Sequence, residues 1–222
     1  YGGSGGTKAV IGVVSGTTIT SFGTAVQINT GGFGNLEVAA LTSTLFVAAY
    51  EDSGSGSVIA CTVAGTTISP GTEVQFNSGN TTRVAVVALT SSLFVISYQD
   101  SGDGNKGHAV AGTVAGTTIT VGNEANFSSF TTTNFPSKLT STDFVIAYKD
   151  NSLNHGRAIV GTISGTTITF GSAATFTTNV PQNEGLTCAT LTPTKFVVAF
   201  EDVSDSNKGK AVIGEVSGTS VT

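Results

Sequence analysis

Apolar positions along this chain come in short bursts of roughly four to eight residues, too brief for a helix face and right for a strand. Leu45 to Glu51, Phe94 to Asp100, Phe144 to Asp150 and Phe196 to Asp202 are such bursts. Each is followed by a second one, such as Ser57 to Ala64, across a Gly/Ser/Asn/Asp segment. No stretch keeps a helical period for three turns, and no run of about 18 apolar residues exists to span a membrane as a helix. The residues that fill the bursts are Val, Ile, Thr, Phe and Tyr, which suit a pleated, half-buried surface.

The bursts repeat. Ala9 to Thr20, a segment ending Ser15-Gly16-Thr17-Thr18-Ile19-Thr20, returns from Val58, Ala109, Ala158 and Ala211. Its turn glycine recurs at Gly16, Gly65, Gly116, Gly165 and Gly218, about 50 residues apart. Each unit reads as four strands: A, Glu37 to Thr42; B, Leu45 to Glu51; C, Ser57 to Ala64; D, Thr67 to Phe76. Glycine supplies the positive φ of a tight C–D hairpin at low cost. The units fall at 29–76, 77–127, 128–176 and 177–222, after a partial unit at 1–28. Strands B and C are apolar on both faces, so each meander must be covered on both sides. Packing four-stranded sheets around an axis does this, which predicts an all-β, β-propeller-like repeat; a β-solenoid or tandem β-sandwiches are the alternatives. Five C–D hairpins accompany four A–B pairs. The surplus hairpin is expected to pair with another copy, a neighbouring chain or further repeats.

Composition narrows function more than fold. Charged residues make up 10% of the 222, net charge is −5 and mean hydropathy +0.24. A disordered chain would be more polar, and a nucleic-acid surface would be basic. With no Met, the sequence is expected to be a processed protein, an excised piece or a partial chain. Two cysteines, Cys61 and Cys188, do not make a disulfide scaffold and are expected to be unpaired.

The meander puts the short A–B and C–D turns at one end and the variable B–C and D–A loops at the other, where binding is expected. Phe33, Asn80 and Phe130 fall in D–A loops and are the candidate ligand contacts; Asn80-Thr81-Thr82 is also a glycosylation sequon. Asp52, Asp100, Asp150 and Asp202 end strand B, and Lys8, His108, Arg157 and Lys210 recur at the start of strand C. Each Asp is expected to face its unit's cation across the B–C ladder, in weak surface pairs that fix register. Asp100-x-x-Asp103-x-Asn105 and Asp202-x-x-Asp205-x-Asn207 could begin a Ca²⁺ site, though the loop is too short for an EF-hand and lacks its closing Glu. His108 and His155 occupy different register positions and have no nucleophile beside them, so they are expected to be solvated loop residues rather than part of a metal site or catalytic triad.

The pattern Phe-Val-x-Ala-Tyr-x-Asp, a Gly-containing loop, then Ala-Val-x-Gly-Thr-Val-Ser-Gly-Thr-Thr-Ile-Thr resembles repeats of surface, tail-fibre and filament structural proteins of aquatic microbes and their viruses. It extends over essentially all 222 residues. The resemblance implies an extracellular or virion-surface component that is structural or adhesive, not an enzyme, and it transfers no catalytic residue. The expected partners are other copies or neighbouring structural chains, without nucleic acid or membrane insertion. The alternative is a lectin-like module that takes surface glycans on its B–C and D–A loops, with calcium as the one cofactor considered.

Overall fold

The structure is a computed structural model that describes residues 6–31, 33–178 and 185–222, the side chain of Phe33 excepted. It opens on a hairpin of four short strands, β1 (Lys8–Ala9), β2 (Gly12–Ser15), β3 (Thr18–Phe22) and β4 (Val26–Gln27), in which β1 pairs with β4 and β2 with β3. Unit one contains β5 (Phe33–Thr42), β6 (Leu45–Asp52), β7 (Ser55–Ala64), β8 (Thr67–Pro70) and β9 (Val74–Asn77). Unit two repeats this with β10 (Thr81–Ala88), β11 (Leu93–Asp100), β12 (Lys106–Ala115), β13 (Thr118–Val121) and β14 (Ala125–Ser128). Unit three has β15 (Thr131–Lys138), β16 (Asp143–Asp150), β17 (His155–Ser164), β18 (Thr167–Phe170) and β19 (Ala174–Thr177). Unit four has β20 (Leu186–Thr192), β21 (Lys195–Asp202), β22 (Lys208–Ser217) and β23 (Ser220–Val221).

Every ladder is antiparallel, and the order within a unit is A–B–C–D. One expectation needs correction. The fourth strand, read as continuous from Thr67 to Phe76, is two strands, β8 and β9, which both pair with β7. The same split gives β13 and β14 on β12, and β18 and β19 on β17. Units one to three are therefore five-stranded sheets. The break falls at a glycine, and the reason lies in the neighbouring sheet. A Cβ on Gly71 would stand 2.7 Å from the Thr117 carbonyl oxygen, on Gly122 2.1 Å from that of Thr166, and on Gly171 2.1 Å from that of Thr219. Gly23 of the hairpin meets Thr66 in the same way, at 2.3 Å. Each C–D turn thus sits in a notch that the preceding unit opens by omitting a side chain. The turn itself is held by Gly65, Gly116 and Gly165, at φ +61°, +62° and +64°.

Four hydrophobic clusters fill the four junctions, one between each pair of successive sheets. Ile28 of the hairpin packs with Tyr50, Ile59 and Ile68 of unit one. Val47, Ala49 and Ala60 of unit one pack with Phe94, Ile96 and Ile119 of unit two. Val95 and Ala111 meet Phe144, Ile146 and Ile168, and Val145 and Val160 meet Phe196 and Val198. Strands B and C read as continuous apolar runs because each of their faces serves a different junction. The recurring phenylalanine of strand B is buried at Phe94, Phe144 and Phe196, and half-buried at Phe46. Room for its ring comes from glycine directly across the ladder, at Gly112, Gly161 and Gly214. The A strands β5, β10, β15 and β20 lie side by side in order, at the inner edge of the array. An edge position is also why Pro136 is tolerated inside β15.

Candidate functional site

Strand A bulges at the same place in three units, between Gly34 and Glu37, Thr82 and Ala85, and Thr131 and Thr133. Asn35 and Arg83 take positive φ there, 45° and 55°. A bulge re-aims side chains, and such bulges gather beside functional sites. These three bring Asn35, Glu37, Arg83, Thr133, Asn134 and Phe135 around one axial cleft of about 260 Å³. The cleft lies toward the end of the array that carries the B–C and D–A loops.

Much of its polarity is committed to joining neighbouring sheets. Asn134 receives the Ser97 hydroxyl and donates its amide to the Arg83 carbonyl at 2.9 Å. The Gln99 amide donates to the Thr131 carbonyl, and the Glu37 carboxylate accepts the Val86 N–H at 3.3 Å. Behind this layer lies the penultimate residue of strand B: Glu51, Gln99, Lys149 and Glu201 in the four units. Lys149 is 1% exposed, and burial pulls its pKa below the ordinary lysine value. Strand periodicity marks these positions as polar, but nothing local to the sequence says that the strand A bulges bring residues of three units around one cleft.

The acids that end strand B cap the loops that follow. Asp100 Oδ1 accepts the N–H groups of Gly102 and Asp103, Asp150 Oδ1 those of Ser152 and Leu153, and Asp202 Oδ1 that of Ser204. The expected cation partners are present in two units. Arg157 lies 3.1 Å from Asp150 Oδ2, and Lys210 lies 2.7 Å from Asp202 Oδ2. Tyr148 pairs with Arg157 and Phe200 with Lys210, so each Asp meets its cation diagonally rather than directly opposite. Unit two departs from this: His108 Nε2 turns to Asp103, 3.2 Å away, rather than to Asp100. In unit one Ser57 bonds instead to Glu73. Lys8 belongs to the hairpin, which has no strand B.

The two calcium candidates lie in separate loops, three residues in each, and in both the second acid is engaged by lysine. Both oxygens of Asp103 accept from Lys106 Nζ, at 2.9 and 3.0 Å. Asp205 likewise pairs with Lys208 and Lys210, at 2.9 and 3.3 Å. Asn105 and Asn207 adopt positive φ, 64° and 61°, and serve as turn residues. Of the three D–A residues, Asn80 is exposed and its carbonyl accepts the Ser101 N–H. Phe130 is half-buried. The Phe33 backbone pairs with Asp52, while its side chain lies outside the described residues. Cys61 and Cys188 are both free, and burial raises their thiols to about 11 and about 12.

Lys210 first, then the Ser204 hydroxyl and N–H, hold the Asp202 carboxyl down to about 2. A carboxyl whose native pKa is depressed stabilises the fold above its unfolded pKa and loses that contribution as pH falls. Acid melts should therefore show unit four weakening between about pH 4 and pH 2, and Asp202→Asn should remove that component. Identical acid profiles for the two proteins would contradict the pairing.

Sequential antiparallel meanders fanned about an inner row of A strands, with a polar cleft among those strands, define a β-propeller-like repeat array. Solved structures it resembles include chains of the NanB sialidase of Streptococcus pneumoniae. One, in complex with 2-[(3-chlorobenzyl)ammonio]ethanesulfonate, superposes with a TM-score of 0.59 at 14% identity over 90% of this chain. A second, the same sialidase with Optactamide, gives 0.56 at 13% identity over 91%. This chain spans about a third of the length of those proteins, 35% and 33%, so the likeness is one of fold. No family model matches the sequence, and no curated protein does.

Proposed function

We propose that the chain is a non-enzymatic, extracellular structural or adhesive repeat module whose sheets accept further repeats at either face of the array. The observation that supports this reading is the exposure of positions that the junctions between units one and two and between units two and three bury. Val14 and Ile19 of the hairpin are 66% and 58% exposed. Their counterparts Val114 and Ile119, or Ile163 and Ile168, are between 5% and 7% exposed against the preceding unit. At the other end Ile213 is 50% exposed where its counterpart Ala60 is fully buried. A groove of about 290 Å³ beside the hairpin, lined by Val10, Leu36, Val38 and Phe46, continues the open surface. Apolar patches of this kind mark interaction sites. The two faces are of the type that pack on each other inside the molecule, so a neighbouring copy joins head to tail, the geometry that builds rings or filaments.

Cross-linking tests this. In a Cys61→Ala, Cys188→Ala background, Ile19→Cys and Ile213→Cys together should give an inter-chain disulfide ladder under mild oxidation. Mixing the two single-cysteine proteins should give heterodimers in preference to homodimers. Monomer alone, or a bond closed within one chain, would overturn the reading.

The axial cleft favours a second reading, a lectin-like module. Amide, carboxylate and hydroxyl groups beside Phe135 suit the hydroxyls and the apolar face of a sugar, and the fold neighbours are named as sialidases. Glycan-array binding that falls with both Glu37→Ala and Asn134→Ala would favour it over the structural reading.

A further inference from the structure

The geometry points to a divalent metal site on the outer side of unit two, formed by His108 Nδ1 with the carboxylates of Glu124 and Asp100. Ligand atoms of the three lie within 4.8 Å of one another. His108 is 5% exposed, and its Nδ1 is buried with no hydrogen-bond partner. A buried ring nitrogen left unpaired is costly, so its surroundings need explaining. What Nδ1 faces is Glu124 Oε2, 3.7 Å away. That is too long for a hydrogen bond. It is close to the roughly 3.4 Å edge between two ligands of a tetrahedral ion with bonds of about 2.1 Å.

The rest of the ring is arranged as a metal ligand requires. Nε2 sits 3.2 Å from Asp103 Oδ2. With its proton there, the Nδ1 lone pair is left facing Glu124, the carboxylate–histidine–metal arrangement that orients a ligand and raises its basicity. Tyr98 stacks on the imidazole at 5.9 Å between centroids, and its hydroxyl donates to Glu124 Oε2 at 2.9 Å. Asp100 uses Oδ1 to cap its loop. No described residue donates to its Oδ2, the oxygen that in unit three takes Arg157.

Comparison among the repeats carries the inference further. In units three and four this position holds a protein cation: Arg157, bridging Asp150 and the Ala173 carbonyl, or Lys210 on Asp202. In unit one Glu73, the counterpart of Glu124, is satisfied by neutral donors from Tyr50, Ser57 and Asn29. Unit two alone combines the acid of strand B, the acid after the strand D break and a short imidazole in place of a long cationic side chain. Positive charge is what the repeat pattern puts here, and a metal ion supplies it. One imidazole with carboxylates suits a borderline ion of the Zn²⁺ class rather than calcium, which takes an all-oxygen shell.

Titrating Zn²⁺ into untagged, chelator-treated protein by calorimetry should show one saturable equivalent, with a rise in melting temperature that grows with Zn²⁺ concentration. Glu124→Gln, on a half-exposed loop side chain, should fold normally and bind at least tenfold more weakly. Asp103→Asn should cost about 10–100-fold by loosening the ring, and His108→Asn should abolish binding. Absence of a saturable equivalent, or affinity unchanged in both Glu124→Gln and His108→Asn, overturns the site. So does Ca²⁺ binding that competes with Zn²⁺ and survives loss of the imidazole.

Discussion

Phe144→Ala should lower unfolding stability by about 3–5 kcal/mol, the combined loss of transfer free energy and of packing around the cavity left behind. The ring is fully buried between units two and three, in one cluster with Val95, Ala111 and Ile146. It stands edge-on to Phe170 at 5.9 Å. Collapse into the vacated space is limited, because Gly161 opposite has no side chain to move in; a Cβ there would lie 2.4 Å from the present ring. Phe22→Ala is the control. Phe22 is 64% exposed on the hairpin, and its loss should change stability by no more than about 0.5 kcal/mol. Denaturant melts that give the two variants similar losses would show that the strand B phenylalanine is not core.

The sheets were legible in the sequence because each unit writes the same pattern of apolar runs and turn glycines. Phe94, Phe144 and Phe196 are buried where that pattern places them. The break in strand D was not legible. Gly71, Gly122 and Gly171 read as ordinary loop punctuation, and their cause is a turn about fifty residues away in the next sheet. Locally, Thr67 to Phe76 satisfies a single strand.

The charged residues divide in the same way. Asp150 with Arg157 and Asp202 with Lys210 were readable from spacing across a hairpin. His108 was read as a solvated loop residue, yet it is nine-tenths buried. Its surroundings depend on Glu124, which enters only because strand D breaks and its second half returns to β12. The axial cleft was hidden for a related reason. Its residues come from three units, and the bulges that aim them leave no signature in the alternation of polar and apolar positions.

That one recurrent junction joins every sheet to the next is the central claim, and a pair of alanine substitutions tests it most directly. Gly122→Ala places a methyl 2.1 Å from the Thr166 carbonyl oxygen, backbone that cannot swing aside. Units two and three must then separate or distort, at a cost of about 1–3 kcal/mol. Gly209→Ala adds the same methyl where nothing lies within 4 Å and φ is ordinary. There the stiffer unfolded chain should leave stability unchanged or raised by about 0.4–1 kcal/mol. The measurement is the denaturant midpoint of the two variants and the parent. The account predicts a clear loss for Gly122→Ala and none for Gly209→Ala; equal midpoints would contradict it.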